Sequence, residues 1–180
     1  MNNKKVSIIL ATTSSGGIGY DNDIPWNFPD DLRNFKRITS FVKDKSKKNA
    51  IIMGRNTWES LPSKPLQNRI NIILTNNIEY ELEEKYKKNA IISYNIDEAL
   101  MYCSADNVEN IFIIGGEQIY KIFFNEYKHL IDKIYLTIIT SYYECNKFAD
   151  IDNIFKNYKI LPENITIYDY YTTIVAYNST

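Results

Sequence analysis

Short apolar runs rich in β-branched residues recur along the chain, separated by polar or small-residue segments. Runs of this length and composition are typical of strands buried in a sheet. The strands predicted in this way are residues 6–11, 50–53, 70–74, 90–93, 110–114 and 133–139. Helices are predicted from Pro29 onward, over residues 54–60 and 96–102, and in the amphipathic segment that carries Ile119, Tyr120, Phe123 and Phe124.

The C-terminal part of the chain is predicted to contain strands without helices. Residues 158–161 and 165–177 flank Pro162, Glu163 and Asn164, which predicts a closing antiparallel hairpin that turns there. Residues 141–152 are predicted to be a polar loop. Alternating strands and helices followed by strands alone indicate an α/β fold, with a mostly parallel central sheet flanked by helices and an antiparallel C-terminal edge strand. We expect one domain over residues 1–180.

Composition and charge narrow the function classes. Hydrophobic residues make up 44% of the 180 residues, charged residues 24%, and the formal net charge is −1. These values argue against a nucleic-acid-binding surface or a disordered tail. The apolar run at residues 6–11 is too short for a signal peptide or a membrane span, so we expect a cytoplasmic protein with no membrane contact. Cys103, Cys145 and the single His129 have no metal-like spacing, and we predict no metal site.

A carboxylate among apolar side chains marks the helix that follows Pro29. Proline suits the first helical position, and Asp31 and Phe35, four residues apart, project from the same side with Leu32 beside them. Such a face could form a small pocket for a ring that carries hydrogen-bond donors. Alternatively, Asp30 and Asp31 simply favour the helix N-terminus, as acids in a first turn usually do.

Glycines occur at three places where a ligand could approach the backbone closely, or where the chain simply turns between two elements. Residues 12–19 form a small-residue loop that either connects elements or closes over a ligand. Gly54 joins a strand to a helix with Arg55 beside it, and Gly115-Gly116 does so further on. A helix N-terminus behind a glycine favours an anion such as phosphate, but a tight turn or a solvent-facing arginine would give the same pattern. The usual Gly-x-Gly-x-x-Gly fingerprint is absent from the first turn.

Taken together, these stretches resemble dihydrofolate reductase. The matching segments fall in the family's order and spacing and cover nearly the whole chain. They are residues 18–19 (Ile-Gly), 25–36 (from Pro-Trp to Phe-Lys), 52–60 (Ile-Met-Gly-Arg-Asn-Thr-Trp-Glu-Ser), 68–71 (Asn-Arg-Ile-Asn), 114–116 (Ile-Gly-Gly) with Tyr120, and 134–137 (Ile-Tyr-Leu-Thr). The run at residues 144–149 departs from the family's acid-Thr-x-Phe-Pro pattern.

The resemblance implies NADPH-dependent reduction of 7,8-dihydrofolate to tetrahydrofolate. Asp31 matches the family's active-site acid, which would accept two hydrogen bonds from the pterin and favour protonation at N5. No side chain matches a direct proton donor to N5, so water is expected to protonate it. Thr137 would support Asp31 by hydrogen bonding.

The resemblance also implies the residues that bind substrate and cofactor. On the substrate side, Leu32, Phe35, Leu61 and Leu66 would wall the rings, Arg69 would pair with the glutamate-tail carboxylate, and the carbonyls of Ile9 and Ile114 would meet the pterin. The expected cofactor contacts are Ala11, Ile18, Ile24, Gly54, Arg55, Asn56, Thr57, Thr75, Asn76, Gly115, Gly116, Glu117, Gln118, Ile119 and Tyr120. Among these, Arg55, Thr75 and Asn76 would meet the 2′-phosphate.

Two rival functions remain compatible with the pattern. One is a reductase of the same fold, such as the pyrimidine reductase of riboflavin synthesis; the other is a relative that binds ligand without catalysis. A protein of protist type could also be fused to, or associated with, thymidylate synthase.

Overall fold

An eight-stranded sheet runs through the centre of the protein, and the computed structural model describes residues 4–178. Its strands lie in the order β5-β4-β3-β6-β1-β7-β10-β9, and a short pair, β2 and β8, lies apart from it. The strands are β1 Val6–Thr13, β2 Gly17–Gly19, β3 Lys48–Gly54, β4 Arg69–Leu74, β5 Ala90–Ser93, β6 Val108–Ile113, β7 Ile131–Ile139, β8 Lys147–Phe148, β9 Tyr158–Ile167 and β10 Tyr171–Asn178. The helices are α1 Pro29–Ser40, α2 Arg55–Ser60, α3 Ile96–Cys103, α4 Glu117–Asn125 and α5 Ile151–Asn157.

The predicted fold class is confirmed. β5, β4, β3, β6, β1 and β7 pair in parallel, whereas β10 is antiparallel to both β7 and β9 at the C-terminal edge. Local signals agree with the helix starts, since α1 begins at Pro29 and the side chain of Asn95 accepts a hydrogen bond from the Glu98 N–H at the start of α3. No helix within residues 4–178 is long and apolar enough to cross a membrane.

Both faces of the sheet are covered by apolar side chains. Alternate residues of β3 point to opposite faces, so Ile52 packs in one cluster with Phe123 of α4, and Ile51 packs in the other with Trp58 of α2. Ile51 and Ile52 have no exposed surface. Burial on both faces explains why the central strands read as continuous apolar runs rather than as an alternating pattern.

The predicted turn of the C-terminal hairpin was wrong. β9 continues through Pro162, and the chain turns after Ile167, where the Tyr168 N–H donates to the Tyr171 carbonyl. Pairing with β10 jumps from Ile165 to Ile160, so residues 161–164 bulge from the ladder. Proline is tolerated in this strand because β9 lies at the edge of the sheet, where a missing N–H breaks no ladder bond.

The predicted polar loop at residues 141–152 was also partly wrong. It contains β8, which pairs with β2 of the glycine loop, and the start of α5. α5 begins at an aspartate cap, because the Asp150 side chain accepts a hydrogen bond from the Asn153 N–H at 3.0 Å. This cap signal is visible in the sequence, whereas the pairing of β2 with β8 joins residues distant in the chain.

Candidate active site

A cavity of about 1280 Å³ lies beside α1 and the carboxyl ends of the central strands. A site for one small molecule usually encloses roughly 300–1,000 Å³, so this cavity has room for a substrate and a cofactor together. The carboxyl ends of parallel strands are the usual ligand position in open α/β sheets.

Most of the predicted site residues line this one cavity. They are Ile9, Ala11, Ile18, Ile24, Asp31, Leu32, Phe35, Gly54, Arg55, Asn56, Thr57, Leu61, Thr75, Asn76, Ile114, Gly116, Glu117, Gln118, Ile119, Tyr120 and Thr137. Residues that were as far as 128 positions apart in sequence — 9 and 137 — therefore share one surface. The remaining three, Leu66, Arg69 and Gly115, are not among the lining residues.

Asp31 and Thr137 form the polar centre of the cavity wall. The Thr137 Oγ1–H donates to Asp31 Oδ1 at 2.7 Å, which joins the C-terminal part of β7 to the first turn of α1. Burial raises the pKa of Asp31 above its ordinary value, and the hydrogen bond from Thr137 opposes that rise. The carboxyl group is thus oriented by one fixed donor at Oδ1. This arrangement suits recognition of a ring with adjacent N–H donors.

Replacing Thr137 tests that pairing. In Thr137→Val we expect the pKa of Asp31 to rise further, because the hydrogen bond that stabilises its ionised form is gone. Carboxyl ¹³C NMR titration would measure the change directly. Thr173→Val is the matched control, since Thr173 lies opposite Thr137 on β10 and lines the same cavity. An equal rise of the Asp31 pKa in both variants would contradict the pairing.

The Gly115-Gly116 turn presents the N-terminus of α4 to the cavity. Gly115 has a φ of +102°, which side chains rarely adopt, and its carbonyl accepts the Gly54 N–H at 2.7 Å. No side chain among residues 4–178 caps α4 at Gly116. The first N–H groups of α4 can therefore donate hydrogen bonds to an anion. A Cβ built on Gly116 would lie 3.1 Å from Thr57 Oγ1. The uncapped N–H groups at this turn form a cradle of backbone donors, an arrangement that favours an anion.

Tyr120 holds this turn against the first strand. Its hydroxyl donates to the Ile9 carbonyl at 2.8 Å, and burial raises the pKa of the phenol. A Cβ on Gly115 would come within 2.8 Å of the Tyr120 ring. The glycine is therefore required by the ring as well as by the backbone angle.

Arg55 supplies a positive charge at the start of α2. Its guanidinium lies 5.6 Å above the centre of the Tyr80 ring, and its Nε is 4.0 Å from Glu59. Its side chain is 39% exposed and lines the cavity with Thr75 and Asn76. A half-exposed arginine held by a ring and a distant acid retains donors for a phosphate.

Arg69 and Leu66 do not line the cavity, and Leu66 packs against the apolar cluster of Ile51 and Trp58. Arg69 is 6% exposed, and its guanidinium donates to Thr39 Oγ1 at 2.7 Å and to the Gln67 carbonyl at 3.0 Å. It lies 5.9 Å from the centre of the Phe35 ring. These contacts fix the C-terminal end of α1, and the role of Arg69 towards a carboxylate stays a prediction.

Sequence reasoning missed several lining residues. Tyr94, Asn95 and Ile96 line the cavity where β5 passes into α3, which the position of strand ends in a parallel sheet could have indicated. Lys147 lines it from β8. Glu163, Thr166 and Thr173 line it from β9 and β10, and the misplaced hairpin turn concealed them. Within residues 4–178 no three His, Cys, Asp or Glu side chains come together as a metal site would require.

Comparison with known proteins gives a consistent answer. The family model described as dihydrofolate reductase matches residues 5–172. A dihydrofolate reductase of Aedes albopictus is 36% identical over 90% of this chain and 90% of its own length, and one of Heliothis virescens is 34% identical over 82% and 80%.

Some relatives are much longer. Bifunctional dihydrofolate reductase-thymidylate synthase 1 of Arabidopsis thaliana is 38% identical over 78% of this chain, which spans only 28% of that protein. The family match, the relatives of similar length and the cavity with its Asp31 carboxylate agree. The chain belongs to the dihydrofolate reductase family.

Proposed function

We propose that this protein reduces 7,8-dihydrofolate to 5,6,7,8-tetrahydrofolate with NADPH. The observation that carries the proposal is the Asp31–Thr137 pair, which faces the same cavity as the uncapped N-terminus of α4. A partly buried carboxylate and an anion cradle in one cavity suit a donor-bearing ring on one side and a dinucleotide on the other.

On the substrate side, Asp31 would accept hydrogen bonds from the pterin ring N–H and 2-amino group. Leu32, Phe35 and Leu61 line the cavity beside it and would enclose the pterin and aminobenzoyl rings. The carbonyl of Ile114 would meet the pterin's amino edge, and that of Ile9 already accepts from Tyr120 and has a second lone pair. Orientation of the ring by these groups is the main contribution of the site.

Proton delivery to N5 is assigned to water. No other titratable side chain lies in contact with the Asp31–Thr137 pair among the hydrogen bonds of residues 4–178. The negative charge of Asp31 would stabilise the protonated N5. Asp31 therefore acts through hydrogen bonding and electrostatics.

The cofactor would be held by backbone donors and one cation. When bound, NADPH supplies the hydride that reaches C6 of the pterin. The N–H groups of Glu117, Gln118 and Ile119 would face the pyrophosphate, with the turn at Gly54, Asn56 and Thr57 opposite. Ala11, Ile18 and Ile24 would line the nicotinamide pocket.

A direct assay tests the proposal against its rivals. NADPH oxidation followed at 340 nm should occur with dihydrofolate and be blocked by methotrexate. Turnover with the riboflavin precursor alone would assign the protein to the pyrimidine reductases. NADPH binding without turnover of either substrate would make it a binding relative.

Arg55 is expected to set the preference for NADPH. In Arg55→Gln, we expect kcat/KM for NADPH to fall about 10- to 100-fold, because one charge-assisted contact to the 2′-phosphate is worth roughly 1.5–3 kcal/mol. The value for NADH, which lacks that phosphate, should change little. Lys121→Gln removes an exposed charge from α4 and is the control. Equal losses with both cofactors would contradict the assignment.

A thymidylate synthase partner remains a prediction. Its support is the bifunctional plant relatives, of which this chain spans about a quarter. The cytoplasmic location is likewise a prediction.

A further inference from the structure

The glycine loop and the start of α4 are joined by one carboxylate. The Phe148 N–H of β8 donates to Glu117 Oε1 at 3.1 Å. Glu117 is the first residue of α4, and β8 pairs with β2 of the glycine loop. Glu117 thus connects two walls of the cavity whose bonded residues are 31 positions apart in the sequence. We call Gly17–Gly19 and Lys147–Phe148 together the β2–β8 flap.

The flap is a small element with few contacts of its own. The Asn146 N–H donates to the Gly19 carbonyl at 3.0 Å, and the Ala149 N–H donates to the Gly16 carbonyl at 2.8 Å. Asn146 and Asp21 exchange side-chain hydrogen bonds at its outer end. These bonds hold β2 to β8. At the β2 side, the Gly17 N–H donates to Thr13 Oγ1 at 2.9 Å, which ties β2 to the end of β1. At the β8 side, the bond from Phe148 to Glu117 ties the flap to the start of α4.

The position of the flap matters because Ile18 and Gly19 line the cavity. An acid in the first turn is favoured by the helix dipole, and here one carboxylate oxygen also accepts from Phe148 of the flap. The bond therefore anchors the flap to the helix end that the proposed function assigns to the cofactor.

We propose that Glu117 is a positioning residue that anchors the β2–β8 flap to the N-terminus of α4 and thereby sets the position of Ile18 at the nicotinamide end of the cavity. The inference rests on the proposed function. The Glu117–Phe148 bond holds β8 at the start of α4, and the pairing of β8 with β2 carries that position to Ile18. Hydride transfer depends on such placement, since small displacements of positioning groups can cost large factors in rate.

Two substitutions at Glu117 separate the bond from the charge. Glu117→Ala removes the acceptor, whereas Glu117→Gln keeps an Oε1 acceptor and loses only the charge. We expect single-turnover hydride transfer to fall about tenfold in Glu117→Ala and to recover to within about twofold of the parent in Glu117→Gln. The Kd for NADPH, measured by fluorescence quenching, should change less than about threefold in both. Glu126→Ala removes an exposed acid at the other end of α4 and is the control.

Hydrogen exchange of the unliganded protein gives a readout independent of activity. The amides of the flap should exchange faster in Glu117→Ala than in the parent, with Glu117→Gln protected like the parent. Unchanged flap protection in Glu117→Ala would overturn the inference, as would equal defects in the two variants. A loss of hydride transfer matched by an equal loss of NADPH affinity would overturn it too. Failure of the proposed function is distinguishable, because the parent protein would then show no dihydrofolate turnover at all.

Discussion

Asp31→Asn should lose most turnover while it binds NADPH like the parent protein. The amide keeps the shape of the carboxyl group and can still accept from Thr137, but it carries no charge to stabilise a protonated N5. It also offers one acceptor oxygen in place of two, which weakens its hold on the pterin's paired donors. We expect a fall in kcat of about 10²- to 10⁴-fold at neutral pH, the usual contribution of a positioned acid–base group. The cofactor cradle at α4 is separate from this side chain, so the Kd for NADPH should be unchanged.

The pH dependence of the variant gives the prediction its second part. Because protonation of N5 is then unassisted, the rate of hydride transfer in Asp31→Asn should rise as the pH falls, and activity should recover in part. Single-turnover kinetics across the pH range would measure it. A variant with parental turnover at neutral pH would rule out the role assigned to Asp31.

Stability should move in the opposite direction from activity. Burial raises the folded-state pKa of Asp31 above its ordinary value of 3.8. The contribution of Asp31 to folding stability is therefore fully present below that ordinary value and is lost as the pH rises through the folded-state pKa. At neutral pH the ionised carboxyl therefore destabilises the folded state, whereas asparagine is neutral throughout. We expect the Tm of Asp31→Asn to equal or exceed the parent's at pH 7, and the difference to shrink in acid. Such a trade between stability and function is typical of active-site groups.

The central strands could be predicted because their signal is local. β3, β4 and β6 are buried on both faces of the sheet. A short apolar, β-branched run is typical of such a strand, so the run itself predicts the strand. The start of α1 could be predicted for the same reason, because Pro29 and the acids after it act on their own turn. The resemblance to a family then placed Asp31 beside Thr137, 106 residues away, which no local pattern could have done.

What could not be predicted depends on contacts between distant segments. β2 and β8 are three and two residues long, and neither has a strand signal strong enough to stand alone. Pro162 looked like a turn because proline usually interrupts strands, but its place at the sheet edge lets β9 run past it. Nor could the sequence show that Arg69 donates to Thr39 and lies over the Phe35 ring. In each case contacts between distant segments, rather than the local pattern, decided the structure.

Gly115→Ala is expected to be strongly damaging for a substitution that adds one methyl group. The residue's φ of +102° is disfavoured for any side chain, at a cost of about 1–3 kcal/mol. The added methyl group would also lie 2.8 Å from the buried Tyr120 ring, and overpacking of this kind adds about 1–3 kcal/mol. The sum is a large part of the roughly 5–15 kcal/mol that stabilises an ordinary domain. We expect a markedly lower midpoint in urea unfolding and much weaker NADPH binding.

A milder glycine and a double-mutant cycle make the cause measurable. Gly54 has an ordinary φ of −73°, and a Cβ there would lie 3.3 Å from the flexible Ile119 side chain, so Gly54→Ala should cost much less. Tyr120→Ala removes the ring, so adding Gly115→Ala to it should then cost only the backbone strain. If Gly115→Ala were as costly without the ring as with it, the contact with Tyr120 would contribute nothing, and the glycine would be required by its backbone angle alone. A smaller loss of stability from Gly115→Ala in the Tyr120→Ala background would instead show that the ring and the turn pack as one unit. The Tyr120 hydroxyl donates to the Ile9 carbonyl, and the Tyr120 ring contacts the turn beside the cofactor cradle. One buried phenol would then fix the substrate and cofactor parts of the cavity relative to each other.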